Sequence, residues 1–451
     1  MRIRVFLSLA IALVTAIVAA PGPAMAAAPA WPQFGHDARL SGFNPDENTI
    51  TRDTVGGLDL EYVASGPPSS TFGGISRSSP AIVGGVAYVG TDQGLLVAWP
   101  ATGCGSAQCG PLWTAQLSNG AFTTPAVADG LVFISSAGNA DNGIGTLYAF
   151  KAAGCGRTSC KPVWTAPVPN TDSSPTVADG VLYIVSNDGR LLAFADKGCG
   201  RPGCTPLWTG NLKTSGQGAP AVANGLVYAT SSERLVAFRA AGCGQPSCPP
   251  VWASTPVAGS DTGSGLIQDV GPTVNGDKVY FASVDFQSPD GNTSTIYAYS
   301  AGGCAAPQSL DCKPLWIYHP ANFESIQSNL TVADGILYGS AVGFLWAFDA
   351  NGCGRPVCGF LWFGGLGTSS GTSASPSIAG GVTYYTQFGG LIGGFDARGC
   401  GELSCAPLFS TVTQPFESPM TTPVVLDGRL YVAGPAVGGR PTMWVYHLPK
   451  Q

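Results

Sequence analysis

Ser174-Pro175-Thr176-Val177-Ala178-Asp179-Gly180-Val181-Leu182-Tyr183-Ile184-Val185-Ser186 opens the stretch whose reading decides the fold. It continues through Asn187-Asp188-Gly189-Arg190-Leu191-Leu192-Ala193-Phe194 to Cys199-Gly200…Cys204 and Pro206-Leu207-Trp208. Short alternating apolar runs bounded by turn signals read as half-buried antiparallel strands. The stretch holds four such runs. The same phrase recurs eight times along the chain, with a cysteine pair at the same place in seven copies. A period of this length with four strands per copy is the pattern of a β-propeller blade.

Each copy opens on a proline slot, namely Pro80, Pro125, Pro175, Pro220, Pro272, Pro376 and Pro423, with Leu330 in the sixth. Proline cannot donate to a ladder, so it suits the first position of a strand. A turn dipeptide follows: Gly84-Gly85, Asp129-Gly130, Asp179-Gly180, Asn224-Gly225, Asn275-Gly276, Asp334-Gly335, Gly380-Gly381 and Asp427-Gly428. These pairs tolerate positive φ and favour two-residue hairpins. The second strand carries Tyr88, Phe133, Tyr183, Tyr228, Tyr280, Tyr338, Tyr384 or Tyr431. The third ends near Trp99, Phe150, Phe194, Phe238, Tyr299, Phe348, Phe395 or Tyr446, and the fourth carries Trp113, Trp164, Trp208, Trp252, Trp316, Trp362 or Phe409. The eighth copy stops after its third strand. Leu58-Asp59-Leu60-Glu61-Tyr62-Val63 supplies the missing fourth, so the N-terminal strand is expected to close the ring and leave no open sheet.

The expected fold is therefore an all-β, eight-bladed propeller closed by the N-terminal strand, with seven intra-blade disulfides. Its expected organisation is a secretory signal peptide at 1–26, a lead-in segment at 27–57 and the propeller at 58–451. Arg2 and Arg4 before the apolar run Val5–Ala20, with Ala24-Met25-Ala26 as a small-x-small cleavage site, carry the signal reading. The expected localisation is secreted or extracytoplasmic, with no transmembrane segment after cleavage. Removing Arg2 and Arg4 takes the formal charge from −6 to −8. An acidic, charge-poor surface without a Lys/Arg cluster lacks the footprint of a nucleic-acid binder.

The fourteen cysteines fall into seven local pairs: Cys104/Cys109, Cys155/Cys160, Cys199/Cys204, Cys243/Cys248, Cys304/Cys312, Cys353/Cys358 and Cys400/Cys405. In an exported chain these read as disulfides stapling the connection between third and fourth strands. A six-residue ring of this kind contributes about 2 kcal/mol by loop entropy. A zinc site needs about four converging ligands, and these pairs belong to different blades.

Ser79-Pro80…Gly94-Leu95-Leu96-Val97-Ala98-Trp99 and its relatives resemble the quinoprotein-type propeller repeat of the pyrroloquinoline-quinone (PQQ) alcohol dehydrogenases. A non-catalytic relative is the propeller lipoprotein of the outer-membrane β-barrel assembly machine. The lead-in Trp31-Pro32-Gln33-Phe34-Gly35…Ser41-Gly42 is similar to the opening of such domains. The resemblance covers Trp31 to Leu448 and is specific for fold, because these repeats serve enzymes and scaffolds alike. Its enzymes imply two adjacent cysteines over the quinone, calcium held by Glu, Asn and Asp around the ring axis, and an Asp base. This chain has no Cys-Cys dipeptide and no Cys-x-x-Cys-His haem motif.

Subtracting what the repeat explains leaves polar residues in connections on the face opposite the Cys loops. They are Asn139, Asp141, Asn142, Asp261, Asp269, Asp285 and Asp290, with His319 and Glu324. Asp141, Asp285 and Asp290 are the candidates for calcium, against their commoner role as solvated turn formers. No catalytic residue is assigned and no cofactor is expected. The functional expectation is a non-catalytic binding or scaffolding propeller that engages a protein or cell-surface glycan through the long-loop face. The alternatives are an oxidoreductase of altered site using PQQ with calcium, and a secreted glycan-active enzyme.

Overall fold

Eight four-stranded antiparallel sheets follow one another in sequence order around an axis in the computed structural model. The structure describes residues 29–449 apart from 68–77, 140–141, 217, 258–264, 267–269, 286–292, 305–309, 320–325, 327, 342, 368–373, 388, 414–420 and 436–439. The expected signal at 1–26 lies outside them. Blade 3 represents the pattern: Thr176–Ala178 innermost, then Val181–Ser186, Arg190–Ala195 and the outer strand Trp208–Asn211. Blade 8 takes Val424–Leu426, Arg429–Pro435 and Pro441–His447 from the end of the chain and Asp59–Ser65 from near its start. The closing strand pairs antiparallel with Pro441–His447, with an irregularity between Leu60 and Tyr62. Glu61 there accepts both Nε and Nη2 of Arg429, at 2.7 and 3.0 Å.

Paired positive φ values at Asp129-Gly130, Asp179-Gly180, Asn224-Gly225, Asp334-Gly335 and Asp427-Gly428 confirm the hairpins read from sequence. Blade 5 differs by one residue. Asn275 ends the inner strand opposite Lys278, so Gly276-Asp277 makes the turn in place of Asn275-Gly276. The shift keeps Val274 in the middle of its strand, where it meets the lead-in segment.

All seven cysteine pairs are bonded, with Cα separations of 5.3–5.8 Å, and none of the described cysteines is free. Each loop also does something the repeat does not announce. It crosses the seam and lays a short parallel strand or bridge along the outer strand of the preceding blade. Thr114 donates its N–H to Thr158 O at 2.8 Å and accepts from Cys160 N at 2.9 Å; Thr165 repeats this with Pro202 and Cys204.

The pairing is the one read from sequence, but the two cysteines of a pair are not equivalent. The first members, Cys104, Cys155, Cys199, Cys243, Cys304, Cys353 and Cys400, are exposed. The second members are strand and core residues. Cys109, Cys248, Cys358 and Cys405 end the two-residue parallel strands, opposite Ala64, Gly210, Tyr318 and Gly364 of the preceding blades. Cys312 makes an isolated parallel bridge with Ser254, and its N–H donates to Ala253 O at 2.9 Å. Cys109, Cys160, Cys204, Cys248, Cys312 and Cys405 are buried members of the seam clusters. Cys358 is half-buried and packs against its cluster beside Phe360 and Phe363. The physical reason is the crossing itself: the pairing edge turns the second sulfur inward, where a bonded cysteine packs as a small apolar side chain. The bridge therefore anchors an exposed loop to the core.

The glycine before the first cysteine lies flat on the preceding blade's ring, as Gly154 does on Trp113 and Gly352 on Trp316. A Cβ there would stand 2.6 or 2.5 Å from the indole, and both glycines have positive φ.

A third device joins neighbours. The second-strand tyrosine donates to an alanine carbonyl of the next blade: Tyr88 to Ala152, Tyr183 to Ala240, Tyr228 to Ala301, Tyr280 to Ala350, Tyr338 to Ala397 and Tyr431 to Ala101. Buried hydroxyls that find a partner avoid a desolvation cost of about 1–3 kcal/mol. The apolar core is divided in the same way. Eight clusters lie one per seam, for instance Tyr183, Trp208, Val227 and Phe238 between blades 3 and 4.

The lead-in segment has the largest structural role. Trp31 exchanges both backbone bonds with Ile82 of blade 1, at 2.7 and 2.8 Å. Val127 of blade 2 then donates to Pro32 O, and Val177 of blade 3 to Gln33 Oε1. Val222, Val274, Val332 and Ile378 of blades 4 to 7 donate to the carbonyls of Ala38, Arg39, Ser41 and Gly42. Asn44 Nδ2 donates to Val425 O of blade 8 at 2.9 Å. Residues 31–44 thus visit all eight inner strands in ring order and fill the axis at the hairpin end. Asp37 fixes the bend, its carboxylate accepting from Arg39 N, Ser41 N and Ser41 Oγ. The chain then runs outward past blades 7 and 8, where buried Glu47 accepts from Thr49 N, Ile50 N and Gly428 N.

Gly42 sits in this path at φ 66°, and a Cβ would lie 2.3 Å from Thr331 Cγ2. Gly42→Ala is expected to lose more than about 2 kcal/mol, from left-handed strain plus overpacking. Gly84→Ala, at φ 60° with open space around it, should lose only about 1 kcal/mol. Urea unfolding of the two variants checks the contrast, and equal losses would contradict the threading of the axis.

Candidate functional site

The propeller offers two faces. The hairpin face carries the turn dipeptides and cysteine loops. The other face gathers the connections between second and third strands and from each fourth strand to the next blade.

At the centre of that second face a polar collar surrounds the axis, built from the residue before each proline slot. Its members are Ser79, Thr124, Ser174, Ala219, Gly271, Asn329, Ser375 and Thr422. Ser79 N donates to Thr124 Oγ1, Thr124 N to Ser174 Oγ, and Thr422 N to Ser79 Oγ, at 2.9–3.0 Å. On the far side Gly271 N donates to Asn329 Oδ1 and Asn329 N to Ser375 Oγ, both at 3.1 Å. Ala219 and Gly271 have no side-chain acceptor, so the chain of bonds breaks there, and it breaks again between Ser375 and Thr422. Asn329 Nδ2 is buried without a partner. The residue one position earlier in several blades turns its hydroxyl to its own second strand, as Ser78 does to Gly90 N and Ser173 to Val185 N. The collar is a hydroxyl and amide ring without a formal charge.

Around it, the described connections belong mainly to blades 1 to 4. Asn139 Oδ1 accepts from Asn142 N and Asn142 Oδ1 from Ile144 N, so both residues shape their own loop. Asn170 Oδ1 accepts from Gly138 N at 2.7 Å, which ties two neighbouring connections together. Asn187 Nδ2 reaches Asp172 Oδ2 at 3.2 Å, and Asp188 pairs with Arg190. Desolvation pushes the Asp188 carboxyl up, but hydrogen bonds from Arg190 and Ser186 outweigh it and leave the group below the usual carboxylate range. Asp92 behaves in the opposite way, since burial raises its carboxyl and Oδ2 has no partner. Phe122 stands out of this surface, 36% exposed.

Of the calcium candidates, Asp141 and Asp290 lie outside the described residues, as do Asp261, Asp269 and Glu324. Asp285 ends the second strand of blade 5, its backbone opposite Thr293 and Gly265, and its side chain is outside the description. His319 is exposed, with Nδ1 at 2.8 Å from Thr295 Oγ1. Among the described residues no group of three or more His, Cys, Asp or Glu side chains is arranged to hold a metal ion.

On the hairpin face the axis carries an open bowl of about 790 Å³, lined by Gln33, His36, Asp37, Asp46 and the inner strands of blades 2 and 3. His36 packs edge-on against Trp31, centroids 4.9 Å apart, and its Nδ1 is buried without a partner. Burial holds its imidazole below the ordinary value; Asp37 and Asp46 oppose this and Arg39 adds to it. Sequence reasoning did not find Gln33, His36 or Asn44 as structural contacts. Only the singular Trp31, outside every repeat slot, pointed to the segment.

A family profile described as outer membrane protein assembly factor BamB matches residues 37–158 and 145–352, more than half of the chain. No curated protein matches the chain in sequence. Among solved structures, BamB from Moraxella catarrhalis is similar with a TM-score of 0.59 and 14% identity, over 86% of this chain and 99% of that one. Quinohemoprotein alcohol dehydrogenase from Comamonas testosteroni gives a TM-score of 0.62 and 12% identity over 94% and 81%. Sqt1 from Saccharomyces cerevisiae gives 0.55 and 10% over 90% and 100%. At these identities the likenesses establish the fold.

Because folded His36 favours the neutral ring, the unfolded chain binds a proton more readily near pH 6.5. Stability should therefore rise with pH through that region and be lost as pH falls below about 6.5. His36→Gln should shrink this loss in chemical-denaturation curves; an unchanged pH profile would contradict the buried neutral ring.

Proposed function

This chain belongs to the family described as outer membrane protein assembly factor BamB, and from that premise we propose that it is an exported, non-catalytic scaffold that binds a protein partner. The observation that carries the reading is the state of the axis. Its hairpin end is occupied by the chain's own residues 31–44, and its other end is lined by hydroxyls, an amide, Ala219 and Gly271. A quinone bearing carboxylates, together with its calcium, calls for cations and carboxylates around the axis. The collar residues do not fit that group.

Seven disulfides support function in an oxidising compartment. No helix among the described residues is long and apolar enough to cross a membrane. The partner is assigned to the long-connection face, where Phe122, Asp172 and Asn187 stand on loops held by a rigid ring. A protein is favoured over a glycan by the family's description as an assembly factor, and a glycan partner is the alternative. Because the fold is shared with a quinohemoprotein alcohol dehydrogenase, PQQ plus calcium titrated into the oxidised protein in a calorimeter is the control, and it should give no heat.

Photo-cross-linking from position 122 should trap a discrete protein partner, and Phe122→Ala combined with Asp172→Ala should lower its capture at least tenfold. Undiminished capture by the double variant would overturn the placement of the face. Tight stoichiometric binding of the quinone would overturn the reading itself.

A further inference from the structure

Seven of the eight outer strands are covered by the next blade's cysteine loop. The exception is the outer strand of blade 7, Phe409–Val412. Blade 8 takes its own outer strand from Asp59–Ser65, so no connection joins its third and fourth strands and no cysteine pair lies at this seam. The other seam devices lapse at the same place. Tyr384 is the blade 7 counterpart of Tyr338, yet its hydroxyl is buried without a partner. Phe409 lacks the glycine lid that Gly399 provides for Trp362, and is covered on its inner side by Val55 and Leu58.

Outside that cover no described residue lies along the edge as a paired strand. Ser410 holds the register position of Phe363, whose N–H donates to Leu403 O at 2.9 Å. Among the described residues nothing pairs with the outer side of Ser410. A groove of about 340 Å³ runs beside it, lined by Leu60, Thr411, Val412, Thr442, Trp444 and Tyr446 among others. Val412 and Leu60 in its lining are 52 and 48% exposed, and Leu408, just before the strand, is 41% exposed. An exposed strand edge with an apolar margin is a template for pairing.

We infer that this edge is a docking site for an extended segment of a partner polypeptide, which adds to blade 7 as a short parallel strand. The inference deepens the scaffold reading, on which it rests, by assigning a second contact on the rim. The occupant's chemistry is set by the filled seams. At Thr114 and Thr165 it is three residues with a parallel bridge at the middle one: the first accepts through its carbonyl, and the third donates its N–H back to the same residue. The third side chain is small and buried, as Cys160 and Cys204 are at 7 and 4% exposure. A partner segment therefore offers a carbonyl at its first residue, an N–H at its third and a small apolar side chain at that third position. Main-chain pairing supplies the affinity and the small inward side chain the selectivity, the mode of strand addition.

The probe is a disulfide-closed peptide of residues 397–407, the blade 7 loop that covers blade 6. Fluorescence polarisation with the intact oxidised protein should show saturable one-to-one binding. Hydrogen exchange should slow at Ser410 in the complex. Methylating the amide nitrogen of the peptide's second cysteine should weaken binding about tenfold, the worth of one hydrogen bond. Ser410→Pro should abolish binding, and circular dichroism reports whether that variant is folded; the methylated peptide is a control independent of folding. Absence of binding, equal binding of the methylated peptide, or protection elsewhere than residues 409–412 would overturn the inference. So would a protein dimer in sedimentation that buries this groove. Peptide binding lost with partner capture intact removes only this site. Capture lost with peptide binding intact leaves it standing.

Discussion

The inner strand of every blade turns one main-chain edge toward the axis, and an unpaired buried amide there carries the cost of a lost hydrogen bond. Seven of those edges donate to residues 31–42, and the eighth accepts from Asn44. One length of chain therefore satisfies the centre of the ring and fixes the order and spacing of its blades. The same segment then runs outward beneath blades 7 and 8 and supplies the last outer strand. Axis and closure are consequently one continuous piece, which links the stability of the ring to its first few dozen described residues.

Away from the axis the seams repeat three devices: a tyrosine bonded to an alanine carbonyl, a glycine against an aromatic ring, and a cysteine loop laid along an edge strand. The disulfides do more than shorten a loop in the unfolded chain. They hold the loop in the shape that reaches across the seam, so that edges which would invite association are covered internally. The seam between blades 7 and 8 lacks all three, and residues 45–58 take over its inner half. Arg52 paired with Asp396 at 2.7 Å and Glu47 bonded to Gly428 show how that substitution is made.

Much of this was legible in the sequence. Strands, hairpins, disulfide pairs and circular closure each leave a residue-type signature at a fixed spacing. The unequal burial within each pair was not legible, because Cys104 and Cys109 read alike until the loop is seen to cross the seam. The turn at Asn275-Gly276 moved by one residue because the register is set by Val274 against Arg39, a main-chain contact with no signature of its own. The axial threading was hidden for the same reason: carbonyls of Pro32, Ala38, Arg39 and Ser41 make it, and any residue has a carbonyl. The collar was hidden because serine and threonine before a proline read equally as a loop. The calcium candidates belong to connections outside the repeat, whose convergence no periodicity reports, and Asp141 and Asp290 fall outside the described residues.

The account depends most on residues 31–44 serving each inner strand separately. Gln33 offers the cleanest separation, because its side chain, and no main-chain atom, accepts from Val177 N at 2.8 Å. The decisive measurement is amide hydrogen exchange of Val177 and Val222 in Gln33→Ala. The account predicts much faster exchange at Val177 with Val222, which donates to Ala38 O, unchanged. Protection at Val177 equal to that of the unaltered chain would contradict it.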